Sequence, residues 1–255
     1  MFALIIYIIA GLGAGIGTGL AGMSAATVIS PMLISFLGFD AYEAIGIALA
    51  SDVLASAVSA YTYAKDGDID IKNAMVMLVS VILCTMIGSF VASFVPSVTM
   101  GSFSVFMMLF LGLRFLFMPV MNTQALQLGK TQEERNIEAI ICGGAIGLYC
   151  GFIGVGGGML MLFILTTILK YEVKTAVGTS VFVMTFTAFT GAISHFYIGG
   201  MPNMMALITC IIATLIGARA SALFGIKADT RQMNRAIGVV LTILAITMII
   251  VKYVI

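Results

Sequence analysis

The chain is a succession of apolar runs with few polar interruptions. Five runs, 2–21, 24–37, 43–63, 72–95 and 99–118, precede a polar stretch at 119–136. Five more follow at 137–154, 157–170, 174–198, 203–224 and 233–253. None alternates apolar and polar positions in the manner of a membrane β-strand, so the runs read as helices. A helix rises about 1.5 Å per residue and a bilayer core is about 30 Å thick. The runs 24–37 and 157–170 are too short to cross comfortably, whereas the others approach or reach the length required. The prediction is an all-α integral membrane protein with a first unit at 1–118, a linker at 119–136 and a second unit at 137–255.

The two units repeat one pattern. Offset by 132 residues, Gly11, Gly15, Gly19 and Gly22 fall on Gly143, Gly147, Gly151 and Gly154. Asp40 falls on Glu172, Ala44 on Ala176 and Gly46 on Gly178 at the same offset. Further on the offset becomes 129, pairing Asn73 with Asn203 and Gly88 with Gly217 after a shortened loop. A duplicated apolar unit with broken helices points to a transporter. Within each unit a short hairpin, broken at Gly22–Ser24 or Gly154–Gly158, precedes three crossing helices. Glycines spaced by four place small residues on one helix face, which fits internal packing as well as a homodimer.

Charge sets the orientation. If each unit crosses the membrane an odd number of times, ten Lys and Arg fall at one face and Lys252 alone at the other, with Arg219 counted as intramembrane. With an even number the same residues divide six to five. Positive charge collects on the cytoplasmic side. The expectation is therefore two inverted-topology repeats, a cytoplasmic linker at 119–136 and both termini outside.

Inversion brings the two glycine breaks toward each other from opposite sides. A helix N-terminus carries unpaired N–H groups and about half a positive charge, and glycine admits a ligand to the backbone. Two such termini facing one cavity make an anion site without a buried Lys or Arg. The alternative is a packed helix break with no ligand. The candidate substrate-binding residues are Ser24, Gly156, Gly157, Gly158, Thr179 and Ser180. The hydroxyls have their own alternative, bonding back to carbonyls of their own helix. Asp52 lies mid-run in an apolar segment, where a carboxylate is costly and either functional or paired. It is the candidate coupling group, with a neutral structural Asp as the alternative. His195, whose repeat partner is Tyr63, is a candidate gate near a helix end. Arg219 is assigned to gating as well, against the reading that it snorkels to the interface.

Composition narrows the class. With 61% hydrophobic and only 9% charged residues, the chain departs from the roughly 25% charge of soluble domains. A net charge of +1 argues against a nucleic-acid partner. The four cysteines have no CxxC spacing and read as small core side chains. The apolar N-terminus belongs too closely to the repeat to be a cleaved signal peptide. No nucleophile–base pair, phosphate loop, dinucleotide fingerprint or metal-ligand spacing is present, so neither catalysis nor a cofactor is expected.

The residues Gly147-x3-Gly151-x2-Gly154-x-Gly156-Gly157-Gly158, Ala176-Val177-Gly178-Thr179-Ser180 and Gly217-Ala218-Arg219 carry a resemblance. Echoes stand at Gly15-x3-Gly19-x2-Gly22 and Ala44-Ile45-Gly46. The pattern resembles the TauE/SafE family of sulfite and organosulfur-anion exporters and covers residues 3 to 252. The first unit departs from it, with Ser24, Ala25 and Ala26 after the break and Ile47 and Ala48 in place of the Thr-Ser pair. The resemblance implies a secondary transporter of small sulfur-containing anions (sulfite, sulfonates, organosulfur carboxylates) in a prokaryotic cytoplasmic membrane. Proton coupling through Asp52 fits that expectation. A passive anion channel, or a carrier of cations or neutral thiols using Asp52, stays open.

Overall fold

A computed structural model describes residues 1–92, 106, 109–118, 131–153 and 157–254. Most of the linker expected at 119–136, much of the run 99–118, and Gly154 to Gly156 lie outside the described residues. Every regular element described is a helix. In order they are α1 (Phe2–Ala21), α2 (Ala26–Leu37), α3 (Ala41–Asp66), α4 (Ile71–Ala92) and α5 (109–117). Then come α6 (Gln132–Ile153), α7 (Gly157–Thr167), α8 (Val173–Gly199), α9 (Met204–Lys227) and α10 (Thr230–Val254). Among the described residues, five helices are long and apolar enough to cross a membrane: α1, α10 and the bulk of α3, α8 and α9. The short helices α2 and α7 have 12 and 11 residues, or roughly 18 and 16 Å.

Local chemistry sets the helix ends. Asp40 caps α3 by accepting from the Tyr42 N–H at 2.8 Å, and Asn203 caps α9 by accepting from Met205 and Ala206 at 3.1 Å each. Thr131 and Glu134 form a reciprocal capping box that starts α6 at Gln132, inside the stretch expected to be linker. That correction was available in the sequence: Thr-x-x-Glu ahead of an apolar run marks a helix start. The charged first turn concealed it.

Backbone-to-backbone packing holds the bundle together. A Cβ on Gly11 would stand 3.0 Å from the Cys210 carbonyl, and one on Gly15 would fall on the Thr214 carbonyl and 2.8 Å from the Ala218 nitrogen. The same arrangement joins α6 to α4. Gly143 meets the Met77 carbonyl at 2.8 Å, and Gly147 meets the Val81 carbonyl. Residue numbers rise together along both pairs, so α1 runs parallel to α9 and α6 parallel to α4. The small-residue faces are thus used inside the chain.

These contacts correct the expected register. Gly11 and Gly143 are equivalent, and they meet Cys210 and Met77, which are 133 residues apart. Gly15 and Gly147 meet Thr214 and Val81, again 133 apart. The offset of 129 read from the sequence therefore slips the fourth helix of each unit by about one turn. A four-residue slip returns a helix to nearly the same face, so small residues still align with small residues and the sequence pattern hides it.

The helices α3 and α8, also equivalent, run antiparallel to each other. Gly46 faces His195 and Phe196, Leu49 faces Gly191, Thr185 donates to Ser56 at 3.3 Å, and Tyr63 lies against Gly178. At the Gly178 end the packing is closed. Tyr63, fully buried, donates to the Gly19 carbonyl at 2.9 Å. The α3–α4 loop presses onto Gly178 through the Asp68 carbonyl. Asp70 gathers Arg135, Tyr171 and Asn73 on its Oδ2 at 2.6, 2.9 and 2.6 Å. Burial pushes the Asp70 carboxyl up, but the Asn73 and Tyr171 hydrogen bonds and the Arg135 charge outweigh it and hold it below the usual range.

Asp68, two residues earlier, is in the opposite position. Its Oδ2 is buried without a hydrogen-bond partner. Burial, reinforced by the charge of Asp66, raises its carboxyl to about 6 against the pull of Lys174. A carboxyl raised in the folded state stabilises the fold when protonated. That contribution is complete below the unfolded value of about 3.9 and is lost as pH rises through the folded one. Asp68→Asn is expected to raise the melting temperature at pH about 7.5 and to leave it nearly unchanged near pH 4. Scanning fluorimetry in detergent checks this, and an equal gain at both pH values would refute it.

Candidate substrate cavity at the helix breaks

The first break is built by Gly22, whose φ of 59° ends α1 in the left-handed region that favours glycine. Thr18 steadies the reversal by donating to the Met23 carbonyl at 2.9 Å. Ser24 then links three elements. Its Oγ accepts from the Ala26 N–H at 3.3 Å, at the start of α2, and donates to Asp52 Oδ2 on α3 at 2.8 Å. Asp52 is 1% exposed, and its Oδ1 has no hydrogen-bond partner.

The second break meets the first. A Cβ on Gly158 would fall on the Gly22 carbonyl oxygen and on the Met184 sulfur, and one on Gly22 would fall on Ser180 Oγ. Beside this meeting point lies a cavity of about 190 Å³, lined by Ser24, Asp52, Gly157, Gly158, Met184 and His195 among others. A small oxyanion fits this volume. The available chemistry is one carboxyl oxygen without a partner, the first N–H groups of α7, the thiol of Cys150, and the hydroxyls of Thr85 and Thr187. Both threonines donate back to their own helices, to Val81 at 2.6 Å and Met184 at 3.2 Å, and keep lone pairs to offer. Among the described residues no cluster of His, Cys, Asp and Glu has the make-up of a metal site.

The expected site residues distribute unevenly. Ser24, Gly157 and Gly158 line the cavity, and so do Asp52 and His195. Gly156 lies outside the described residues. Thr179 and Ser180 are buried but are not among the lining residues. Thr179 Oγ1 accepts from the Asp70 N–H at 3.3 Å and so ties down the α3–α4 loop. Ser180 donates to the Val177 carbonyl at 2.8 Å and packs on Gly22. His195 stacks on Tyr42 with ring centroids 4.6 Å apart, and its Nδ1 lies 2.9 Å from the Gly191 carbonyl. Arg219 is exposed on α9 and does not line the cavity.

Three lining residues were missed in the sequence. Met184 stands 132 residues after Asp52, so the repeat offset alone would have found it. Cys150 follows Gly147 by three residues at the break and was assigned to the core. Thr85 lies on a helix whose register was read one turn out.

The model of the family described as sulfite exporter TauE/SafE matches residues 7–248. The chain is 24% identical to the probable membrane transporter protein YunE of Bacillus subtilis, over 96% of this chain and 97% of that one. It is 23% identical to the probable membrane transporter protein YdhB of the same organism, over 82% and 85%. It is also 27% identical to the probable membrane transporter protein MJ0441 of Methanocaldococcus jannaschii, over 74% and 70%. No solved structure matches the chain.

Proposed function

The chain belongs to the sulfite exporter TauE/SafE family of multi-pass membrane transporters, and on that premise we propose that it carries small sulfur-containing anions by alternating access. The substrates of this reading are sulfite, sulfonates and organosulfur carboxylates, moved across the cytoplasmic membrane of a prokaryote. One observation carries it: the two glycine breaks converge on a cavity that also receives the unpartnered oxygen of Asp52.

Two inverted-topology repeats supply the motion. The antiparallel course of the equivalent helices α3 and α8 supports that reading. So does the exchange of partners by which α1 packs on α9 while α6 packs on α4. The cavity extends along α3 and α8 toward His195, while the equivalent Tyr63 end is sealed. Exchange of these roles between the repeats would close the His195 end and open the Tyr63 end. The charge distribution puts the Asp70 end and the linker in the cytoplasm and both termini outside. In this reading Asp52 carries a proton on Oδ1, with Ser24 holding Oδ2.

The test is a thermal-shift panel on purified protein in detergent, with sulfite, thiosulfate, taurine, sulfoacetate, neutral thiols and monovalent cations at two pH values. A bound ligand raises the melting temperature by about 2.7 kcal/mol of added stability at a hundred times its Kd. Stabilisation by sulfur anions and greater stabilisation in acid are expected. Stabilisation by cations or neutral thiols, with anions silent, would replace this reading by one in which Asp52 binds the substrate directly.

A further inference from the structure

The two breaks correspond in sequence, but the side chains facing them differ in charge. At the first, Asp52 Oδ2 accepts from Ser24 Oγ, which in turn accepts from the Ala26 N–H of α2. The positive end of α2 is therefore already satisfied by a carboxylate of the protein itself. At the second, the residue equivalent to Asp52 is Met184, and its sulfur lies on Gly158 in the first turn of α7. Cys150 lies against Gly157 in the same turn. Both side chains are neutral and neither supplies the N-terminus of α7 with a charge. The cavity is open to this turn, and Asp52 Oδ1, 99% removed from solvent, has no partner within the protein.

We propose that the duplicated breaks hold a single anion, at the N-terminus of α7, because Asp52 permanently fills the equivalent place at α2. Met184 then sets this occupancy by being neutral. The inference rests on the anion-carrier reading and adds its stoichiometry and the residue that enforces it. A carboxylate at position 184 would do at α7 what Asp52 does at α2. An amide of nearly the same shape would not, so charge is separable from fit.

The titratable groups facing the site are few. Asp52 comes from α3, His195 from α8 and Cys150 from α6, while α4 contributes Thr85 and α2 and α7 contribute no titratable lining residue. Two like charges sharing a cavity at an effective dielectric of about 20 repel by a few kcal/mol, or about a hundredfold in affinity.

The experiment is equilibrium binding of radiolabelled thiosulfate to the purified full-length protein in detergent. Wild type is expected to bind one anion per chain. Met184→Asn is expected to bind within a few fold of wild type, and Met184→Asp about a hundredfold more weakly near pH 8, with partial recovery in acid. Equal binding by Met184→Asp and Met184→Asn would overturn the inference, as would two anions per wild-type chain. If the position 184 variants do not fold, Asp52→Met, which copies the second break, decides the matter. It is expected to raise the stoichiometry from one to two, and a folded Asp52→Met still at one would overturn the inference. Failure of wild type to bind any sulfur anion in the panel above would instead remove the carrier reading on which this one stands.

Discussion

Asp52→Asn is expected to abolish the accumulation of thiosulfate driven by a pH gradient in proteoliposomes. With one proton carried per anion charge, each pH unit concentrates the substrate about tenfold at equilibrium, since one unit is worth about 1.36 kcal/mol. The amide still accepts the Ser24 hydrogen bond that Asp52 Oδ2 now takes. It cannot exchange a proton, so the accumulation ratio should fall to about one at every imposed gradient. Thiosulfate is the useful probe because it stays ionised over the range, so its own protonation does not imitate coupling. Binding should respond in step: acid should tighten it in wild type and leave it flat in Asp52→Asn. A variant that still concentrates thiosulfate under the gradient would exclude Asp52 as the proton carrier.

The second large effect is structural. Gly15→Ala is expected to cost about 3 kcal/mol or more, although the change adds one methyl group. That methyl would fall on the Thr214 carbonyl and 2.8 Å from the Ala218 nitrogen, and backbone atoms of α9 cannot turn aside as a side chain would. Gly13→Ala, two residues away on the same helix, meets nothing nearer than Leu244 at 3.6 Å and should be tolerated, with a helix-propensity gain of up to about 1 kcal/mol. Fluorescence-detected size exclusion after a heat step reads the comparison. Equal survival of the two variants would mean that the glycine face does not hold α1 to α9. Loss of Gly15→Ala with survival of Gly13→Ala is the expected pattern.

Much of this architecture was legible from local chemistry. Continuous apolar runs can satisfy their backbones in lipid only as helices, so the fold class follows from hydropathy. The glycine face of α1 follows from spacing, because residues four apart share a helix face. Asp52 stood out because a carboxylate in the middle of an apolar run needs a reason. The family likeness rested on glycines whose backbone roles allow few substitutes.

Other features depended on how the halves meet. The start of α6 was hidden by a charged first turn, despite the capping box of Thr131 and Glu134. The register of the fourth helices was ambiguous by a turn, because a turn restores the same face; only the contacts of Gly11 and Gly143 separate the alternatives. Thr179 and Ser180 looked like ligands by their position after Gly178. The tertiary structure turns one toward the Asp70 N–H and the other toward Gly22. In a linear chain nothing reports where a hydroxyl points.

The sequence by itself determined that this is a helical membrane protein, built from one unit used twice, with breaks at equivalent points and one carboxylate deep in the first unit. Each of these is a property of composition, period or position along the chain. Only the tertiary structure decided that Gly22 touches Gly158, that Ser24 joins Asp52 to the start of α2, and that a neutral Met184 stands where the second unit needs no charge. Those are contacts between residues far apart in the chain. They arise because small residues let the helices approach until backbone meets backbone, and that distance is settled by the packing of the bundle as a whole.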